Sequence, residues 1–240
     1  RDSCSIVLMQ TLARDAVEDC LSRGVIPFLV GGSALYTKAI LDEMSIPPTD
    51  PQVRARWQER LDAQGPHALH DELARRDPKA AESILPGNGR RIVRALEVID
   101  LTGSFTATIP DGTFHWPNTV QIGLELPRQD MDQRIAERVD QMWADGFVDE
   151  VCSLVDAGLR GGLTASRGLG YRQVLEHLDG EYDEDEARRR TVTGTRRFAR
   201  KQLMWYRRDD RIEWFNALSS DLDDCVMARV LTALSAGEED

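Results

Sequence analysis

The chain has 240 residues, 41% of them hydrophobic and 30% charged, which is the balance of a folded protein large enough to need no disulfide or metal staple. No apolar run approaches the roughly 20 residues that span a bilayer, and no signal segment opens the sequence, so the expectation is a cytoplasmic protein with no membrane partner. The net charge of −11 speaks against a general nucleic-acid binder, but phosphate binding depends on a local patch rather than a whole-chain sum.

In chain order, residues 11–22 carry apolar positions at helical spacing, and Gly24 ends that helix. The run Ile26-Pro27-Phe28-Leu29-Val30 suits a buried parallel strand. Gly31-Gly32-Ser33 and a further helix follow, so this opening reads as an α/β unit. Ser45-Ile46-Pro47-Pro48-Thr49-Asp50-Pro51 marks a boundary, after which four helical segments are expected over 53–64, 66–75, 78–84 and 90–101. Residues 105–118 read as a loop. A strand is expected over 119–126, helices over 129–144, 147–157, 171–178 and 185–206, a short strand over 211–215 and a last helix over 221–234. The acidic end, Glu238-Glu239-Asp240, reads as disordered. The expected organisation is an α/β core over 1–45, a helical insertion over 46–117 and the rest of the core over 118–240. With only two or three strands visible the core looks incomplete at its N-terminus, and loss of a first strand is expected to leave a sheet edge uncovered, with some tendency to aggregate.

Four cysteines (Cys4, Cys20, Cys152, Cys225) form no C-x-x-C pair and read as reduced thiols. His67 and His70 have metal-ligand spacing but no third ligand nearby. No lysine stands in a G-x-x-x-x-G-K-[ST] phosphate loop, and no nucleophile elbow occurs. Gly31-Gly32-Ser33, between strand and helix, is either a ligand-approach loop or a tight turn. Helix 185–206 places Val192, Thr195, Ala199, Leu203 and Tyr206 on a core stripe. Arg189, Arg196, Arg200 and Arg207 fall on a neighbouring face that suits either phosphate oxygens or solvent. Arg90, Arg91 and Arg94 at a positive helix end hint at an anion, although Glu97 offers Arg94 an ordinary intrahelical pair. Ser166-Arg167-Gly168-Leu169-Gly170-Tyr171-Arg172 is a glycine loop suited to phosphate or a single-stranded nucleotide, or else a connector.

Taken in order, Gly31-Gly32-Ser33-Ala34-Leu35-Tyr36, Asp50-Pro51-Gln52-Val53-Arg54-Ala55-Arg56, Arg91-Ile92-Val93-Arg94-Ala95-Leu96-Glu97-Val98, Leu169-Gly170-Tyr171-Arg172 and Thr195-Arg196-Arg197-Phe198-Ala199-Arg200-Lys201-Gln202 with Trp205 and Arg207 resemble the bacterial tRNA isopentenyltransferase family, the tRNA dimethylallyltransferases, in their actinobacterial wording. The likeness runs over residues 4–216. It implies a P-loop NTPase-like α/β core with an all-helical insertion. It also implies transfer of a dimethylallyl group from dimethylallyl diphosphate to N6 of the adenosine 3′ to the anticodon, that base being turned out of its stack. Its expected partners are the tRNA anticodon stem-loop and dimethylallyl diphosphate, and its expected state a monomer. The resemblance carries tRNA contact onto Ser33, Arg54, Arg91, Ile92, Val93, Arg94, Arg167, Gly170, Tyr171, Arg172, Arg200, Lys201, Gln202, Trp205 and Arg207. It implies Mg²⁺ and a nucleotide- or ATP-type phosphate loop with a catalytic aspartate. No residue of these 240 matches them, so they are expected upstream of Cys4, and the chain is expected to hold mainly the tRNA-binding part. The alternative is a non-catalytic tRNA-binding module derived from such an enzyme. A small-molecule kinase is the more remote reading.

Overall fold

The computed structural model describes residues 5–105, 112–162 and 164–236. Among them are helices α1 (Ile6–Ser22), α2 (Ala34–Leu41), α3 (Pro51–Arg76), α4 (Pro78–Ser83) and α5 (Gly89–Thr102), strand β1 (Gln121–Glu125), helices α6 (Arg128–Ala144), α7 (Phe147–Asp156), α8 (Tyr171–Leu178) and α9 (Glu184–Tyr206), strand β2 (Ile212–Asn216) and helix α10 (Leu222–Ala236). The chain divides into two compact units, Lys38–His115 and the remainder.

The Lys38–His115 unit is helical, and its ends are set by local chemistry. Asp50 caps α3, its carboxylate accepting from the Gln52 and Val53 amides at 2.8 and 3.0 Å, with Pro51 in the first turn where no amide is needed. The expected break between 53–64 and 66–75 stands at Gly65, whose backbone (φ +79, ψ 167) leaves the helical region before Pro66, so α3 is two helical stretches joined at a kink. Asp77 then caps α4 and accepts from the Phe105 amide at 3.1 Å. Asn88 caps α5, which stops at Gly103 in the left-handed conformation. Trp57, Leu69 and Leu73 of α3 pack with Ile84 and with Ile92, Val93 and Leu96 of α5 to make the core of this unit. An isolated antiparallel bridge joins Asp42 to Phe114.

In the other unit, β1 and β2 pair in parallel, Gln121 opposite Ile212 and Glu125 opposite Asn216. Gly123 faces Trp214 in this register, and the indole lies where a Cβ at 123 would stand. The chain between the strands forms α6 to α9. Phe147 and Val151 of α7 pack against Leu159 and against Val174 and Leu175 of α8.

Three expectations change. The run 26–30 is not a strand: among the described residues it pairs with nothing, and Phe28 and Val30 are 76% and 92% exposed. A parallel strand exists only through a neighbour, and apolar composition alone supplies none. Helix α1 starts five residues earlier than its periodicity indicates, because the Ser5 hydroxyl caps it by accepting from the Leu8 amide. On α9 the residues that reach full burial are Ala187 and Thr191, while Val192, Thr195, Ala199, Leu203 and Tyr206 are half-buried. The segment 106–111, part of the expected loop, and the tail 237–240 lie outside the described residues.

Candidate nucleic-acid interface

Residues 187–208 contain nine cations and no acid. Helical geometry puts Arg189, Arg196, Arg200 and Arg207 in an inner row and Arg190, Arg197, Lys201 and Arg208 in an outer one, with Arg188 on a third face. The inner row, together with Arg188 and Arg190, turns to acids and carbonyls, some on other elements and some on α9 itself. The Arg196 guanidinium donates to the Asp132 carbonyl at 2.8 Å. Arg200 stands 4.0 Å from the Asp132 carboxylate. Arg188 pairs with Asp140 at 2.6 Å, and Arg207 with Glu125 at 2.7 Å. Arg189 and Arg190 both donate to Glu186, and these bonds hold its carboxyl down to about 2. Arg190 also lies over the Tyr182 ring, 4.1 Å from its centre. Burial first, then the Glu176 carboxylate, pushes the Tyr182 hydroxyl up to about 12.

The rest of the outer row differs. Arg197, Lys201 and Arg208 are exposed and make no ion pair or side-chain hydrogen bond among the described residues. Beside them Phe198 is 57% exposed and Trp205 42%. Arg197 and Arg208 are absent from the residues assigned by resemblance. Their spacing from Lys201 was the available signal, but which face of the helix meets acids depends on partners far away in sequence.

Gln202 belongs to neither row. Its amide nitrogen donates to the Gly32 carbonyl, and a Cβ at position 32 would overlap that amide group. Close backbone approach is thus the reason for glycine at 32. One turn on, the Tyr206 and Thr37 hydroxyls hydrogen-bond at 2.9 Å. The Ser33 carbonyl accepts from both the amide and the hydroxyl of Thr37 at 2.9 and 3.0 Å. Ser33 is exposed on a loop that Gln202 and Tyr206 hold in place. The Gln202 amide nitrogen is already engaged in holding that loop.

The 166–172 segment also divides. Gly170 sits at φ +92 and ψ −60 before α8, with its amide donating to Gln173 Oε1 at 2.8 Å. A Cβ there would lie 3.0 Å from Phe147 Cζ. Tyr171 stacks on Phe147 with ring centres 5.6 Å apart. Its hydroxyl donates to Glu150 at 2.6 Å, a bond that raises its pKa, with burial adding to the effect. Gly170 and Tyr171 therefore hold α7 against α8. Arg167 and Arg172 are the members left at the surface, Arg172 with Glu176 3.6 Å away.

In the helical unit the organising group is Glu97, which is fully buried. Its Oε1 accepts from the Thr49 hydroxyl at 2.6 Å and the Asp50 amide at 3.0 Å. Its Oε2 accepts from Arg54 at 2.7 and 3.0 Å and from Arg94 at 2.9 Å. Burial pushes the carboxyl pKa up, and these bonds outweigh it, so the net shift is down. Arg94 further donates to the Pro47 and Pro48 carbonyls at 2.8 and 3.0 Å. Arg94 and Glu97 thus anchor the 47–50 turn to α5, while Arg54, half-exposed, ties the first turn of α3 to the same carboxylate. Arg91 is exposed at the start of α5. Ile92 and Val93 are in the core, so the assignment of their side chains to tRNA contact is corrected: they pack the unit.

His70 Nε2 lies 2.8 Å from the Ile84 carbonyl and 3.1 Å from that of Ala81, so this nitrogen donates and is unavailable to a metal. Among the described residues no three His, Cys, Asp or Glu side chains are placed to hold a metal ion. Cys20, Cys152 and Cys225 are free thiols, Cys4 lies outside the described residues, and no described helix is long and apolar enough to cross a membrane.

Residues 1–209 match the family model described as IPP transferase. The chain is 86% identical over 236 residues to a tRNA dimethylallyltransferase of Cutibacterium acnes, covering 98% of this chain and 74% of the relative. It is 56% identical over 222 residues to one of Thermobifida fusca, covering 92% and 69%. Among solved structures it resembles a full-length tRNA isopentenylpyrophosphate transferase from Bacillus halodurans, with a TM-score of 0.66 and 34% identity over 99% of this chain and 76% of that one. A eukaryotic dimethylallyltransferase captured acting on tRNA has a TM-score of 0.69 at 20% identity, covering 92% and 59%, a likeness of fold.

Proposed function

Because this chain belongs to the IPP transferase family, we propose that its residues grip the acceptor in tRNA dimethylallyl transfer. In that reaction N6 of the adenosine 3′ to the anticodon attacks the first carbon of dimethylallyl diphosphate. A C–N bond forms, the C–O bond to diphosphate breaks, diphosphate leaves with the bonding pair, and N6 gives up a proton. The acceptor is the anticodon stem-loop of a tRNA, the setting is the cytoplasm and the working form is a monomer. We read the β1–β2 pair and its helices as part of a P-loop NTPase-like core, and Lys38–His115 as the helical insertion.

The observation that carries this reading is the acid-free run of nine cations over 187–208. Guanidinium forks match phosphate oxygens bidentately, and a local cationic surface on an acidic chain steers a polyanion to one face. Ser33, Arg54, Arg91, Arg94, Arg167, Arg172, Arg200, Lys201, Trp205 and Arg207 are the contact candidates that remain. Gly170, Tyr171 and Gln202 act by holding the loops that present them. No residue of this chain is given the donor's diphosphate, the Mg²⁺ or the proton from N6.

The test uses the 240-residue chain with unmodified tRNA, labelled dimethylallyl diphosphate and Mg²⁺, reading tRNA binding and label transfer side by side. The reading predicts tRNA binding that weakens with salt, without transfer. Transfer by this chain alone would put the catalytic groups among these residues and overturn the division of roles. Absence of tRNA binding would overturn the reading itself.

A further inference from the structure

We propose that Arg197, Lys201 and Arg208, in the outer row of α9, form the track along which the RNA backbone runs, with Phe198 and Trp205 beside it as stacking faces for unpaired bases. This rests on the tRNA-gripping reading above. It adds Arg197, Arg208 and Phe198 to the contact set, and it separates the arginines of α9 into those free to take a phosphate and those that must first leave or share an acid.

The argument is one of competition for charge. A guanidinium already donating to a carboxylate or carbonyl must give up that bond, or share it, to take a phosphate. Arg196 and Arg207 are committed in this way to Asp132 and Glu125, and Arg200 stands 4.0 Å from the Asp132 carboxylate. Arg189 is committed to Glu186, and so is Arg190, which shares the outer face seven residues before Arg197 and therefore stays out of the track. Arg197, Lys201 and Arg208 give up nothing, since they are exposed and have no partner among the described residues. At 100° per residue Arg197 and Lys201 lie within about 40° of each other on α9. Arg208 follows just past the helix end, its amide bonded to the Trp205 carbonyl at 3.2 Å. The row is about 16 Å long at the helical rise, enough to follow a strand past several nucleotides. Its last cation also sits at the negative end of the helix dipole, where positive charge is favoured.

Phe198 and Trp205, seven residues apart, share the adjoining strip of the helix and are exposed. Exposed aromatics alternating with unpaired cations are the surface that single-stranded nucleic acid uses: the phosphates take the charge and the bases take the ring faces. An acidic polypeptide would use the cations but not the ring faces, so the aromatics decide for RNA.

The test measures tRNA affinity of the 240-residue chain between about 50 and 200 mM salt, because each phosphate that is no longer neutralised lowers the salt slope by about 0.7 to 0.9. Arg197→Gln and Arg208→Gln should each lower the slope by that amount. Together they should weaken binding on the order of tenfold at the lower salt. Arg189→Gln removes the same charge from the inner row and should leave the slope as in the parent chain. All three side chains are at the surface, so the thermal midpoint reports whether folding is intact. If the parent chain binds tRNA and the outer-row variants keep its slope, or if Arg189→Gln lowers the slope equally, this inference falls while the tRNA reading stands. If the parent chain binds no tRNA, the reading beneath it falls. Loss of polyglutamate binding in the two variants with tRNA binding unchanged would assign the row to an acidic protein and overturn the inference.

Discussion

Replacing Glu97 by glutamine tests whether one buried carboxylate organises the helical unit. The side chain keeps its volume, and the amide oxygen can still accept from Thr49 and the Asp50 amide, which now bond Oε1. On the other side an NH₂ group replaces Oε2 and meets the nitrogens of Arg54 and Arg94, donor against donor. Breaking a buried ion pair costs about 3–5 kcal/mol. Arg54 is half-exposed and can rehydrate, and Arg94 retains the Pro47 and Pro48 carbonyls. The expected loss is therefore smaller, about 2–4 kcal/mol. For a unit of this size each kcal/mol moves the midpoint by about 4–8 °C, so the melting of Lys38–His115 should fall by about 10 °C or more. Far-UV circular dichroism of the full chain during heating and in urea reads this. The pH arm has a fixed sign. The folded pKa of Glu97 lies below its ordinary value, so the stabilisation is complete above the unfolded pKa of about 4.3 and is lost as pH falls through the folded pKa. The gap between parent and variant should therefore narrow in acid. An unchanged midpoint, or a gap that widens in acid, refutes the reasoning.

Three further substitutions separate bracing from binding. Gly170→Ala places a Cβ at φ +92 against Phe147 and should cost about 1–3 kcal/mol in urea; an unshifted midpoint contradicts the turn argument. Ile92→Ala empties a fully buried position and should cost about 2–5 kcal/mol, while tRNA affinity under folding conditions stays within about twofold; a large drop in affinity without destabilisation would restore Ile92 as a contact. Tyr171→Phe removes the bond to Glu150 but keeps the stack on Phe147. It should cost about 1 kcal/mol and leave the salt slope of tRNA binding alone, and a reduced slope would make Tyr171 a contact after all.

What the sequence disclosed follows the range of the forces involved. Helix α8 was legible because Gly170 before it and Asp179-Gly180 after it are local signals, and β1 and β2 emerged within two residues at either end. The run 26–30 misled because its composition is that of a strand, whereas strandedness is a property of pairs. The same limit governs the interface. Helical spacing sorts the cations of α9 into faces, but Asp132, Asp140 and Glu125, which occupy one of those faces, lie 48 to 82 residues away in sequence. The row that spacing favours is therefore the neutralised one. Arg94 and Glu97, three residues apart, were a legible pair. The approach of Arg54 and Thr49 to the same carboxylate, which makes Glu97 a hub, is a product of tertiary packing alone. Ile92 and Val93, between two arginines, took on a contact role by adjacency, and their burial shows why neighbours in a helix seldom share a task.

The most direct measurement is hydroxyl-radical footprinting of the 240-residue chain with and without unmodified tRNA. The account predicts that tRNA protects Phe198, Lys201, Met204 and Trp205 on the outer strip of α9 and leaves the reactivity of Tyr171 and Trp57 unchanged. Protection of Tyr171 with no change along α9 would contradict it.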